Sequence, residues 1–284
     1  MHWANLFSSL LLLLLATPAW AGSRGMWFWN AQKIQSQTEV TQLINFALKY
    51  KIGTLYTEMN TDLGNAAYQS FVAKCAGNGI RVQALIGDSS WATAEGFPNL
   101  KPKLDWLKQY QASAPAASRF SAVHFDVEPW TIHPDWENNR AGLTTGLLRV
   151  AEAIIKVAAE DLGNLPVEAD VPFWANEIDC PGYDVTLDVW MFRRIAATHF
   201  MTYRNTPDAF MDIANRALVR GSGEGKPVWL SIETVNTGDN IQSYYGSTLQ
   251  HFLSDLSIVE GRAGKFSGYA GMGIHYYEGM RALR

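Results

Sequence analysis

Cysteine is scarce in this sequence: Cys75 and Cys180 are the only two among 284 residues. Two thiols cannot staple a chain of this length, and no Cys/His spacing of a metal module accompanies them, so no metal or other cofactor is expected. Positive charge is not in excess, since 23 Lys and Arg face 27 Asp and Glu for a formal net charge of −4. That balance gives no electrostatic reason to expect nucleic acid or an anionic membrane as partner. Low-complexity tracts, charge blocks and Pro/Ser linkers are missing after Gly22, and with them any sign of a second domain. No glycine-rich phosphate loop follows the first strand-like run, which argues against a doubly wound nucleotide-binding sheet.

The long apolar run sits at the start, in "LFSSLLLLLLATPAWA". Its unbroken core is shorter than the roughly 20 residues a helix needs to cross a bilayer. Small residues follow it, and Ala19-Trp20-Ala21 fits a signal-peptidase site, although His2 and the free amine are the only positive groups before it. Residues 1–21 are therefore expected to be a cleaved signal peptide. The mature domain, 22–284, would be exported to a periplasm or the medium, with no membrane segment left. Export would permit a Cys75–Cys180 disulfide, but two separate thiols fit the fold expected below better.

What the sequence does have is a rhythm. Strand-like runs, "GMWFWN", "IGTLYTEM", "IRVQALIGD", "FSAVHFDVEPW", "PVEADVPFW", "THFMTYRN", "KPVWLSIETV" and "FSGYAGMGIHYY", alternate with stretches of helical spacing. The first stretch is residues 38–50, where Val40, Leu43, Ile44, Ala47 and Leu48 share a face. Others are expected over 66–76, 100–110, 143–160, 187–195, 207–220 and 245–258. That count of strand–helix units in one domain predicts an α/β fold, a (β/α)8 TIM barrel. The alternation of "VWLSIE" agrees: Val228, Leu230 and Ile232 would face the helices, and Trp229, Ser231 and Glu233 the barrel axis.

In such a barrel the site lies at the C-terminal strand ends, and acids gather there. Strand 2 ends in Glu58, strand 3 in Asp88, strand 4 in Asp126 and Glu128, strand 5 in Asp170, strand 7 in Glu233. In "FSAVHFDVEPW", Ala122, His124, Asp126 and Glu128 share one face. Carboxyl groups buried together have raised pKa values, which suits one to act as general acid while an ionised neighbour serves as nucleophile or base. Trp27, Trp29, Trp91, Trp130, Trp136 and Trp174 crowd the same rim, as do Tyr203, His275 and Tyr276. Flat rings beside paired carboxylates fit carbohydrate, so a poly- or oligosaccharide is the expected partner.

These residues resemble the TIM-barrel glycoside hydrolases. In the retaining clan typified by cellulases and β-galactosidases, an Asn-Glu-Pro ends strand 4 and a Glu ends strand 7. Here Val127-Glu128-Pro129 and "GKPVWLSIET" look similar. The resemblance implies Glu128 as acid/base and Glu233 as nucleophile, with Val127 departing from the family Asn. Chitinase-like barrels instead end strand 4 in Asp-x-Asp-x-Glu and carry Met-x-Tyr on strand 6. Asp126-Val127-Glu128 and Met201-Thr202-Tyr203 look similar to those, with Ser121 and His124 where that family keeps aspartates. That branch implies a substrate-assisted mechanism in which Asp126 and Tyr203 orient an acetamido group. Trp29, Glu58, Asp88, Trp130, Asp170, Trp174, Tyr203, His275 and Tyr276 are the candidate substrate-binding residues. A non-catalytic carbohydrate-binding barrel remains an alternative, as does a metal-dependent hydrolase on Asp126, Asp170 and His275.

Overall fold

The computed structural model describes residues 23–284, so the leader expected over residues 1–21 lies outside the described residues. Eight strands run in chain order: β1 (Ser23–Phe28), β2 (Ile52–Glu58), β3 (Arg81–Ile86), β4 (Val123–Phe125), β5 (Val167–Pro172), β6 (Ala197–Met201), β7 (Val228–Glu233) and β8 (Tyr269–His275). Every neighbouring pair is parallel and β8 pairs with β1, so the sheet closes into a (β/α)8 barrel. Parallel neighbours need a crossover, and helices supply it. They are α1 (Gln37–Lys49), α2 (Asn65–Gly77), α3 (Leu100–Ser113), α4 (Asp135–Glu160), α5 (Leu187–Phe192), α6 (Pro207–Glu224), α7 (Leu249–Ala263) and α8 (Tyr277–Ala282). Among the described residues no helix is long and apolar enough to cross a membrane.

Local chemistry sets the helix ends, and it moves two of them from where periodicity put them. The Ser36 hydroxyl accepts from the Glu39 amide and starts α1, with Glu39 in the first turn against the helix dipole. Thr248 does the same for α7 through His251, so that helix begins at Leu249 and not at residue 245. The helix expected over 143–160 is preceded by a short helical segment that begins at Asp135, and a kink at Asn139 (φ −143°, ψ 44°) separates the two parts of α4. Gly225 takes a left-handed φ of 65° and ends α6.

The core has two layers. Met26, Leu55, Val123, Val228, Leu230 and Ile232 face outward into a continuous apolar shell beneath the helices. Inside the barrel the filling is aromatic and polar: Trp27, Tyr56 and Leu85 form one cluster, while Trp229 packs with Ala197 and Ala270. The expected alternation of β7 therefore holds. Two glycines of β8 make room for the indoles, since a Cβ on Gly273 would stand 2.6 Å from Trp27 and one on Gly271 2.6 Å from Trp229. Cys75 and Cys180 are both buried free thiols.

Strand β4 is only three residues long, yet the barrel stays tight beyond it. The Asp126 amide donates to the Ile86 carbonyl at 2.9 Å. Gly87 permits this approach: a Cβ there would lie 2.0 Å from the Asp126 carbonyl oxygen. Gly87→Ala must push the two strands apart, so we expect a loss of about 1–3 kcal/mol, read as a lower urea midpoint. An unchanged midpoint would mean that the segment carrying Asp126 moves freely.

Candidate active site

At the C-terminal rim the strands enclose a hollow of about 320 Å³. Asp126 and Glu128 reach it from the β4 end, Asp170 from β5, Tyr203 from just past β6, Glu233 from β7 and His275 from β8; Trp27, Trp29 and Met201 complete its wall. Four carboxyl groups therefore meet in one small cavity. The cause lies in the chain: inward positions of neighbouring strands sit side by side, and Glu233 pairs directly with His275 across β7 and β8.

Each carboxyl has a different environment. Glu128 leaves β4 on a tight turn in which its carbonyl accepts from the Thr131 amide (3.0 Å) and hydroxyl (2.7 Å). Its Oε2 accepts one bond, from Trp130 Nε1 at 2.9 Å. Burial raises the Glu128 pKa; the Trp130 bond opposes that rise, and nearby Asp170 adds to it. Burial raises Asp126 further, with Asp170 and Glu128 contributing like charge, and its Oδ1 is buried without a partner. The Tyr203 phenol is held neutral, its pKa pushed well up by burial and then by the surrounding carboxylates.

Glu233 is built the opposite way. Its Oε1 accepts from the Thr234 and Val235 amides at 2.7 and 2.9 Å, and its Oε2 faces His275 Nδ1 at 2.8 Å. Trp29 Nε1 meets His275 Nε2 at 2.8 Å. An indole N–H can only donate, so Nε2 accepts and the His275 proton sits on Nδ1, aimed at Glu233. Three donors thus converge on one carboxylate.

The remaining candidates divide. Glu58 and Tyr276 line an adjoining hollow of about 470 Å³, which shares Trp29 with the first. Asp88 enters neither hollow; it is exposed and its carboxylate caps the turn Ser89–Ala92 through the Ser90 amide. Trp130, expected as an open sugar platform, is 8% exposed and packs against Trp136 and Trp174 at centroid distances of 5.9–6.2 Å. Its contribution to the hollow is the bond to Glu128. Trp27 and Trp91 are buried too, so of the six rim tryptophans only Trp29 and Trp174 keep partial exposure. Asp126, Asp170 and His275, the alternative metal triad, all line the hollow, but their donor atoms do not form a metal-sized group. Among the described residues the close group is His124, Asp170 and His199. Sequence reading passed over His199 although it shares the inward face of β6 with Met201, a signal the alternation rule could have caught.

No protein-family model and no curated protein matches the sequence. Solved structures do match. A β-glucosidase from Thermotoga maritima in complex with deoxynojirimycin is similar over 90% of this chain and 88% of its own, at 10% identity and a TM-score of 0.57. A GH18 chitinase from Cycas revoluta in complex with (GlcNAc)3 is similar over 92% of this chain and 97% of its own, at 11% identity and a TM-score of 0.53. The chain shares its barrel fold with both branches that the motifs resemble.

The tautomer of His275 is directly measurable. Nitrogen NMR near neutral pH should find Nδ1 protonated and Nε2 bare, with that preference weakened in Trp29→Phe. A proton resident on Nε2 would contradict the Trp29–His275–Glu233 chain.

Proposed function

We propose that this protein is an exported glycoside hydrolase acting on a poly- or oligosaccharide, with Glu128 as general acid/base and Glu233 as nucleophile. The observation that carries the proposal is the asymmetry between two carboxyl groups in one hollow. Glu128 has burial to keep its proton and a single donor against it. Glu233 faces three donors. Glycosidic cleavage needs such a pair, one carboxyl to protonate the leaving oxygen and one to stabilise or attack the oxocarbenium-like carbon. The shared fold with a β-glucosidase and a chitinase supports the glycoside hydrolase reading. The leader in residues 1–21 supports export to a periplasm or the medium.

A second mechanism within this function is favoured by one feature. Asp126 stands in the same hollow as Glu128 and Tyr203 with Oδ1 unpartnered, which supports a substrate-assisted route in which Asp126 and Tyr203 orient an acetamido group. The two routes differ in what they cut. Glu233 as nucleophile cleaves glycosides regardless of an N-acetyl group, whereas the assisted route requires one.

Removing the acid should be costly. Glu128→Gln is expected to lower kcat/KM by about 10²–10⁴-fold on whichever polysaccharide of a panel is cleaved, read as new reducing ends. Cleavage at the parent rate would exclude Glu128 as the acid. Sugar binding without cleavage by the parent would point to a non-catalytic barrel.

The pH dependence follows from the raised pKa of Glu128. Its protonated form is the active one, so activity should fall as pH rises through a midpoint above the usual Glu value of about 4.3. A carboxyl raised on folding contributes stability that is present below the unfolded pKa and lost as pH rises through the folded one. Glu128→Gln removes the buried charge, so it should melt higher than the parent at pH 7 and about equally at pH 4. A variant that melts lower at pH 7 would show that the ionised form is stabilised.

A further inference from the structure

Beneath the catalytic hollow the barrel axis is polar, and its protons do not balance its lone pairs. Gln83, His124, Glu168, Asp170 and His199 are each 3% exposed or less. The Gln83 side-chain oxygen faces His124 Nδ1 at 3.1 Å. A carbonyl oxygen accepts only, so His124 carries a proton on Nδ1. In the neutral ring that leaves the Nε2 lone pair against Asp170 Oδ2 at 2.7 Å, acceptor facing acceptor. His199 turns Nε2 to Glu168 Oε2 at 2.8 Å, and its Nδ1 is buried without a partner. Asp170 Oδ1 is buried without a partner as well. Two carboxylates and two imidazole lone pairs shut away from water are costly unless a positive charge sits among them.

We propose that His124, Asp170 and His199 bind one divalent first-row transition metal, with zinc the expected occupant. One donor atom from each lies within 4.8 Å of the others, offered from the adjacent strands β4, β5 and β6. Nitrogen and carboxylate donors at about 2.1 Å from a tetrahedral ion stand roughly 3.4 Å apart. The 2.7 Å contact between His124 and Asp170 therefore opens to admit it. The outer shell is already in place. A ligating histidine gives its other N–H to a carboxylate or carbonyl oxygen, which is what Glu168 provides for His199 and Gln83 for His124. Two imidazoles select against calcium and magnesium, which take oxygen ligands. The ion would tie three strands together under the catalytic floor and neutralise its buried charge.

The test uses the full chain without a histidine tag, purified without chelator and also refolded with Zn²⁺ or Co²⁺. We expect about one metal per chain by elemental analysis, visible d–d absorption from the cobalt form, and a Tm that drops on chelation. His124→Gln and His199→Gln should each lose the metal. Should either variant fail to fold, the parent's stoichiometry and cobalt spectrum decide alone. A parent protein that retains no metal from either ion, with a Tm unmoved by chelator, overturns the site and leaves a proton on His124 as the missing charge. Both readouts are independent of hydrolysis.

Discussion

Closing eight parallel strands into a ring forces every C-terminal strand end onto one rim, and the chemistry of this protein follows from that constraint. Asp170 and Glu233 are far in sequence from each other and from Asp126 and Glu128, and no local interaction brings the three groups together. Ring closure does, and it removes them from water at the same time. Burial and like charge raise the pKa of Asp126 and of Glu128, and the four groups differ in the donors each one finds. Glu233 finds three and Glu128 one. Small differences in partner count thereby become different chemical roles.

The scaffold serves this division from underneath. Large indoles fill the barrel where glycines of β8 yield space, and they leave the rim hollow over a solid floor. Trp130 shows how an aromatic can act on the site without touching a ligand: it is packed against Trp136 and Trp174, and its one exposed interest is the Glu128 carboxylate. Trp29 works at one remove in the same way, fixing the His275 tautomer that serves Glu233. Glu128 directly, and Glu233 through His275, are thus each held by a tryptophan.

Much of this was legible in the sequence because the barrel repeats two simple signals. Alternation of "VWLSIE" gave the inward placement of Glu233, and the strand–helix rhythm gave the count and order of units. Asp88 misled because an acid just past a strand is equally suited to cap a turn, and its exposure decides for the cap. The rim tryptophans misled because chain position reports nearness to the rim and not which way a ring faces. The buried histidines were hardest to read. His124 was visible on the same face as Asp126, but its pairing with Asp170 depends on how β4 and β5 stagger, a property of closure that no single strand encodes.

The central claim is that Glu128 keeps its proton when ordinary carboxyl groups have lost theirs. Carbon-13 NMR titration of the Glu128 side-chain carboxyl tests it most directly. The account predicts a midpoint above the usual Glu value of about 4.3. A midpoint at or below that value would contradict it.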